Sequence, residues 1–204
     1  MTPRLPTIRV ATAGAWLGLL QTVLFFDLTF SCSSSFVAYA ILLVSWLGGS
    51  IVGVWTRSAR ATRPLVVVAA LAPYGLHAAL GAAPYSLALL PVGAVFTGAT
   101  GAFAGHLFQA ERRSLGGVDR LFFVEGIGFL VGLVAALLGA LLFGRGALLA
   151  TPAVGGLVLF ALYTRSAAEA SAAAPPSARA PVKPAPAKPA PAAPAPAKKK
   201  RRPR

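Results

Sequence analysis

The sequence predicts an all-α polytopic membrane protein: six transmembrane helices, both termini on the cytoplasmic side, and a disordered basic C-terminal tail. Three observations predict it. Of 204 residues, 56% are hydrophobic and only 12% charged, about half the charged fraction of a water-soluble domain, and mean hydropathy is +0.72. Apolar stretches of membrane length recur six times, and the connections between them alternate between arginine-rich and arginine-poor. In lipid every backbone amide must find an internal partner, so such stretches are helices; no alternating pattern of about ten residues supports a barrel.

A helix needs about 20 apolar residues to cross a ~30 Å hydrocarbon core, because each residue rises 1.5 Å. The first span, 10–30, is free of charge from Val10 to Phe26 and runs past Asp27 towards Phe30. The others fall at 36–55, 65–83, 85–108, 121–143 and 147–164, completing a bundle over 1–165. Arg4 and Arg9 precede the first span, Arg57, Arg60 and Arg63 follow the second, and Arg112, Arg113 and Arg120 follow the fourth. The remaining turns, 27–35, 83–84 and 144–146, hold one arginine among them, Arg145. That is the positive-inside pattern for both termini cytoplasmic, in a multi-pass protein. The turn Ala83–Pro84 is so short that the third and fourth spans must form a tight antiparallel hairpin. Cys32 reads as a small residue of an outer loop, since Thr29, Phe30 and Ser31 do not form the box that lipidation requires.

Association in lipid depends on close approach of small residues and on interhelical polar contacts. Gly93, Thr97, Gly101 and Gly105 recur every four residues in the fourth span, with Gly98 on the adjacent row. Gly128, Gly132, Ala136 and Ala140 line the fifth, Ser45, Gly49 and Gly53 the second, and Gly14 and Gly18 the first. Four ridges in four helices predict a compact bundle.

One Cys excludes a disulfide framework and a cysteine-built metal site, and two His with five scattered acids leave no expected catalytic, cofactor or metal site. Four ionisable residues nevertheless fall within the spans: Asp27, His77, His106 and Glu125. Each costs roughly 2.5–3.5 kcal/mol at a helix centre on insertion scales, less near the ends, and so asks for a partner. Depth along the helices allows two pairs, Glu125 with His106 on the cytoplasmic side and Asp27 with His77 on the outer side. Such groups act either as polar glue between helices or as a transport path. No span has two titratable groups on one face of its middle third, which favours glue.

The order of these residues resembles the membrane domain of bacterial multi-spanning spermidine synthase-like proteins. Gln21 and Asp27 of the first span are followed by Trp46-Leu47-Gly48-Gly49-Ser50-Ile51-Val52-Gly53, then by Phe123-Val124-Glu125-Gly126-Ile127-Gly128 with Gly132. The resemblance covers roughly 10–145. It implies a helical membrane domain that works beside a soluble synthase domain. Only Ala/Pro/Lys sequence follows Ser166, so no aminopropyltransferase site carries over, and any catalysis is expected from a separate synthase-like chain.

The tail, 166–204, holds nine basic residues and one acid. Its Ala-Pro repeats favour extended, disordered backbone, and it ends in Lys198-Lys199-Lys200-Arg201-Arg202-Pro203-Arg204. The expected partners are the bilayer, anionic lipid headgroups at about 1 kcal/mol per basic residue, or an acidic protein. Nucleic acid is disfavoured, because no aromatic follows Tyr163 to stack bases. The Ala/Gly/Arg/Pro bias of GC-rich coding points to a bacterial inner membrane. The functional expectation is a non-enzymatic anchor or scaffold at its cytoplasmic face. The alternatives are a small transporter or permease subunit, or the membrane subunit of a polyamine synthase-like complex.

Overall fold

The computed structural model describes residues 4–31, 36–56 and 58–173. They form α1 (Arg4–Ser31), α2 (Phe36–Trp55), α3 (Thr62–Ala82), α4 (Leu90–Glu111) and a final helical run, Val118–Ala173. Gly144 breaks that run with φ 74°, a backbone shape that glycine adopts at little cost. The break leaves two membrane-length segments, α5 (Val118–Gly146) and α6 (Leu148–Glu169), so six helices are long and apolar enough to cross a membrane. No strand occurs among the described residues.

The spans differ from the sequence expectation mainly at their ends. α1 starts at Arg4 rather than near residue 10, because Arg9 is paired inside the bundle and does not need to reach water. At the other end the helix continues past Ser166, where a disordered tail is expected, to Ala173. Ala-rich sequence favours helix there, and Arg165 pairs with Glu169 one turn on, at 2.9 Å. Between α3 and α4 the connection is longer than Ala83–Pro84: Tyr85 turns with φ 63° and donates its N–H to the Ser31 carbonyl at 2.7 Å, and a 3₁₀ turn, Leu87–Leu89, leads into α4. Cys32 and the loop around it, and the Ala/Pro/Lys spacer with its basic end, lie outside the described residues.

Two glycine seams organise the packing. α1 lies on α5, and α2 on α4. At the α2–α4 seam, a Cβ at Gly49 would collide with the Gly98 carbonyl, and one at Gly105 with the Ser50 carbonyl. At the α1–α5 seam the same holds for Gly14 against Glu125 and Gly132 against Ala15. Partner numbers rise together along both seams, so each pair is parallel, as alternate crossings of one membrane require. Backbones at this range gain dispersion and Cα–H···O contacts that bulkier residues prevent. Gly93 leaves its expected ridge, facing Leu28 of α1 and Leu76 of α3 instead of α2.

α3 and α6 complete the bundle around Trp16. The indole is 1% exposed, meets Phe103 edge-on at 5.3 Å, and donates to the Pro152 carbonyl of α6 at 3.0 Å. Pro152 itself lacks the N–H that would pair with Leu148, and the Thr151 hydroxyl takes that carbonyl at 2.7 Å. Leu17, Leu20, Val66, Leu107 and Leu159 pack the same layer, while Leu24, Leu28, Leu76 and Leu80 fill the next.

Candidate functional site

Two ionic clusters occupy opposite ends of α1. Arg9 and Asp27, eighteen residues apart on this helix, are separated by about 27 Å at 1.5 Å per residue, close to the thickness of a hydrocarbon core.

Asp27, 2% exposed, anchors the cluster farther from the N-terminus. Arg145 donates to Asp27 Oδ1 through Nε at 3.0 Å and Nη2 at 2.7 Å, and His77 Nδ1 lies 3.2 Å from Oδ2. Both carboxylate oxygens are therefore engaged, as a buried acid requires. The expected meeting of Asp27 with His77 is present. Arg145 is the member the sequence reading left out. It was legible as the one arginine in the sparsely charged turns, at the level of the one acid there, but recognising it needed the Gly144 break that turns it towards α1.

The second cluster went unseen because its members lie far apart in sequence. Arg9 Nη2 pairs with Glu111 Oε2 at 2.5 Å, and Ser114 donates to the same oxygen at 2.6 Å. Arg9 Nη1 donates to Ser166 Oγ at 2.9 Å, and its guanidinium stands 5.3 Å over the Tyr163 ring. Glu111 is 3% exposed. Sequence pattern used Arg9 for topology alone and left Glu111 beyond the end of the fourth span; one acid beside Arg112 gives no hint of a partner on α1.

The expected pair of Glu125 with His106 does not form. His106 faces α2 and α3, with Nδ1 2.9 Å from the Thr56 carbonyl and Nε2 2.8 Å from Thr62 Oγ1. A carbonyl only accepts, so Nδ1 carries a proton, and a neutral ring then accepts from Thr62 through Nε2. Glu125 lies half-buried on α5, whose glycine seam faces α1, and its side chain makes no hydrogen bond or ion pair among the described residues. α4 has given its small-residue face, and His106 with it, to α2, and α5 meets α4 through the rings of Phe108 and Phe122, whose centroids lie 4.6 Å apart, so depth along the helices alone did not bring Glu125 to His106.

Comparison of the chain with family models, with curated proteins and with solved structures finds no match. Function therefore rests on the geometry. Among the described residues no three His, Cys, Asp or Glu side chains converge to hold a metal ion. The Asp27 cluster adjoins a cavity of about 230 Å³ lined by Ser31, His77, Tyr85 and Arg145, and the Arg9 cluster opens on a larger one.

Proposed function

We propose that this chain is a non-enzymatic anchor or scaffold at the cytoplasmic face of a bacterial inner membrane, multi-pass with both termini cytoplasmic. The observation that carries this reading is the solid layer between the two clusters. Trp16, Leu17, Leu20, Phe103 and Leu107 fill the space that a proton or solute path through the bundle would occupy. Arg9 with Glu111 and Arg145 with Asp27 are spent on one another at the two ends, where each pair ties α1 to a helix from the far half of the chain. Rigidity of this kind suits a protein whose work is to hold a position. The basic connections, with Arg60, Arg63, Arg112, Arg113 and Arg120, concentrate charge at one face, where an acidic partner or anionic lipid is attracted. The Gln21, Asp27, Trp46–Gly53 and Phe123–Gly132 pattern supports a synthase-like chain as the held partner.

The test is affinity purification of the full chain from gently solubilised membranes, beside a variant with its terminal lysines and arginines changed to Gln. A partner in stoichiometric amount is expected from the former. Recovery of the chain alone in both cases overturns the scaffold. In proteoliposomes the same protein should show no proton flux above empty vesicles; flux abolished by Asp27→Asn would establish the transporter instead.

A further inference from the structure

At the end of the bundle where α1 begins, α1, α3, α4 and α6 part around an open cleft of about 490 Å³. Arg9, Arg60, Arg63, Thr62, Glu111 and Tyr163 line it. Its charge does not balance. The one acid, Glu111, is held by Arg9 and Ser114, and neither Arg60 nor Arg63 forms an ion pair among the described residues. Two positive charges are left facing one volume.

Three further features of the same walls ask for an anion. The Tyr163 hydroxyl, close to the Glu111 carboxylate, and Arg9 Nε are buried without a hydrogen-bond partner among the described residues, an unfavourable condition that a ligand or water would relieve. α3 starts at the cleft. Its N-cap residue, Ala61, makes no side-chain capping bond, and its first turn holds Arg63 and no acid. A helix N-terminus carries partial positive charge and free amides, so a cation there is unfavourable alone and favourable around a shared anion. The arginines of an interface also lie at the depth of lipid phosphates.

We propose that this cleft binds a phosphate group, carried either by an anionic phospholipid headgroup or by a soluble phosphate ester. Phosphate fits better than a carboxylate because its tetrahedral oxygens can meet donors arriving from three helices at once. The guanidinium forks of Arg60 and Arg63 share its non-bridging oxygens, and the Tyr163 hydroxyl donates to one of them. The volume lies in the range of small-ligand sites. The inference does not depend on the anchor reading.

The test is thermal unfolding of the full chain in detergent, with phosphatidylglycerol, phosphatidylcholine, inorganic phosphate or glycerol 3-phosphate added. Ligation should raise Tm by roughly 3–6 °C at saturation. A shift with phosphatidylglycerol and not phosphatidylcholine identifies a lipid headgroup; a shift with the soluble phosphates identifies a free ester. In either case Arg60→Gln with Arg63→Gln should abolish it, and Tyr163→Phe should raise the midpoint concentration about tenfold. Should the Gln variant fail to fold, Arg60→Lys with Arg63→Lys keeps the charge, loses the fork, and should also raise the midpoint. Neutralising Lys198–Arg204 should leave the shift intact, which separates the cleft from the tail. No shift with any probe overturns the proposal, as does a shift that survives both arginine variants or vanishes with the tail charges.

Discussion

Asp27 shows how one residue can be read from sequence and still be half understood. Its depth marked it as needing a partner, and His77 is one; the stronger partner is Arg145, with two hydrogen bonds to Oδ1. Removing Arg145 leaves a carboxylate that is 3% exposed with a single imidazole contact. Arg145 is itself 47% exposed, so solvent screens part of the interaction. Arg145→Ala should therefore cost about 1–3 kcal/mol, below the range for a fully buried pair. Asp27→Asn made together with Arg145→Ala should recover most of the loss, because the orphaned charge is gone. Chemical or thermal unfolding in detergent measures both. At Glu125 the expectation is the opposite. With no partner to orphan, Glu125→Ala should be neutral or mildly stabilising, and its effect should add to that of His106→Ala; coupling above about 0.5 kcal/mol would mean the two residues meet after all.

Each helix was legible from its apolar run, since length and hydropathy are local properties; which helices touch was not. The glycine ridges announced close approach, and the seams are built on them, yet ridge spacing does not name the opposing helix. Gly101 and Gly105 turn to α2 while Gly93, on the same row, turns to α1 and α3, because a straight four-residue row drifts around the helix axis over three turns. The two kinds of glycine should respond differently to a methyl group. Gly105→Ala drives Cβ into the Ser50 carbonyl and should destabilise the bundle by about 1–3 kcal/mol. Gly139, on the same helix as the seam residue Gly132, has no neighbour within 4 Å of an added Cβ. Gly139→Ala should be neutral or stabilise by up to about 1 kcal/mol through helix propensity alone. Equal losses from the two substitutions would show that the α2–α4 seam is not closed as described.

For the whole molecule, alternating charge predicts which face is cytoplasmic, and two exposed positions test it. With Cys32 replaced by Ser, a cysteine at Ser58 should be shielded from an impermeant thiol reagent in intact cells, and one at Tyr85, which is 76% exposed, should be labelled. Reversed labelling would overturn the orientation. Sequence reading located nearly everything governed by composition, including the spans and their number, and missed what depends on distance along the chain: the Arg9–Glu111 pair and the role of Arg145. That same distance sets a schedule for biogenesis. Asp27 is made 118 residues before Arg145, so at about 5–20 residues per second the ribosome leaves roughly 6–24 s between them. Throughout that interval the first helix carries an acid whose arginine does not yet exist, and it must be shielded by the insertion machinery, by water, or by His77 once the third helix arrives. Nascent chains arrested before Arg145 should therefore crosslink to the translocation channel through α1, and chains long enough to release α6 should let it go.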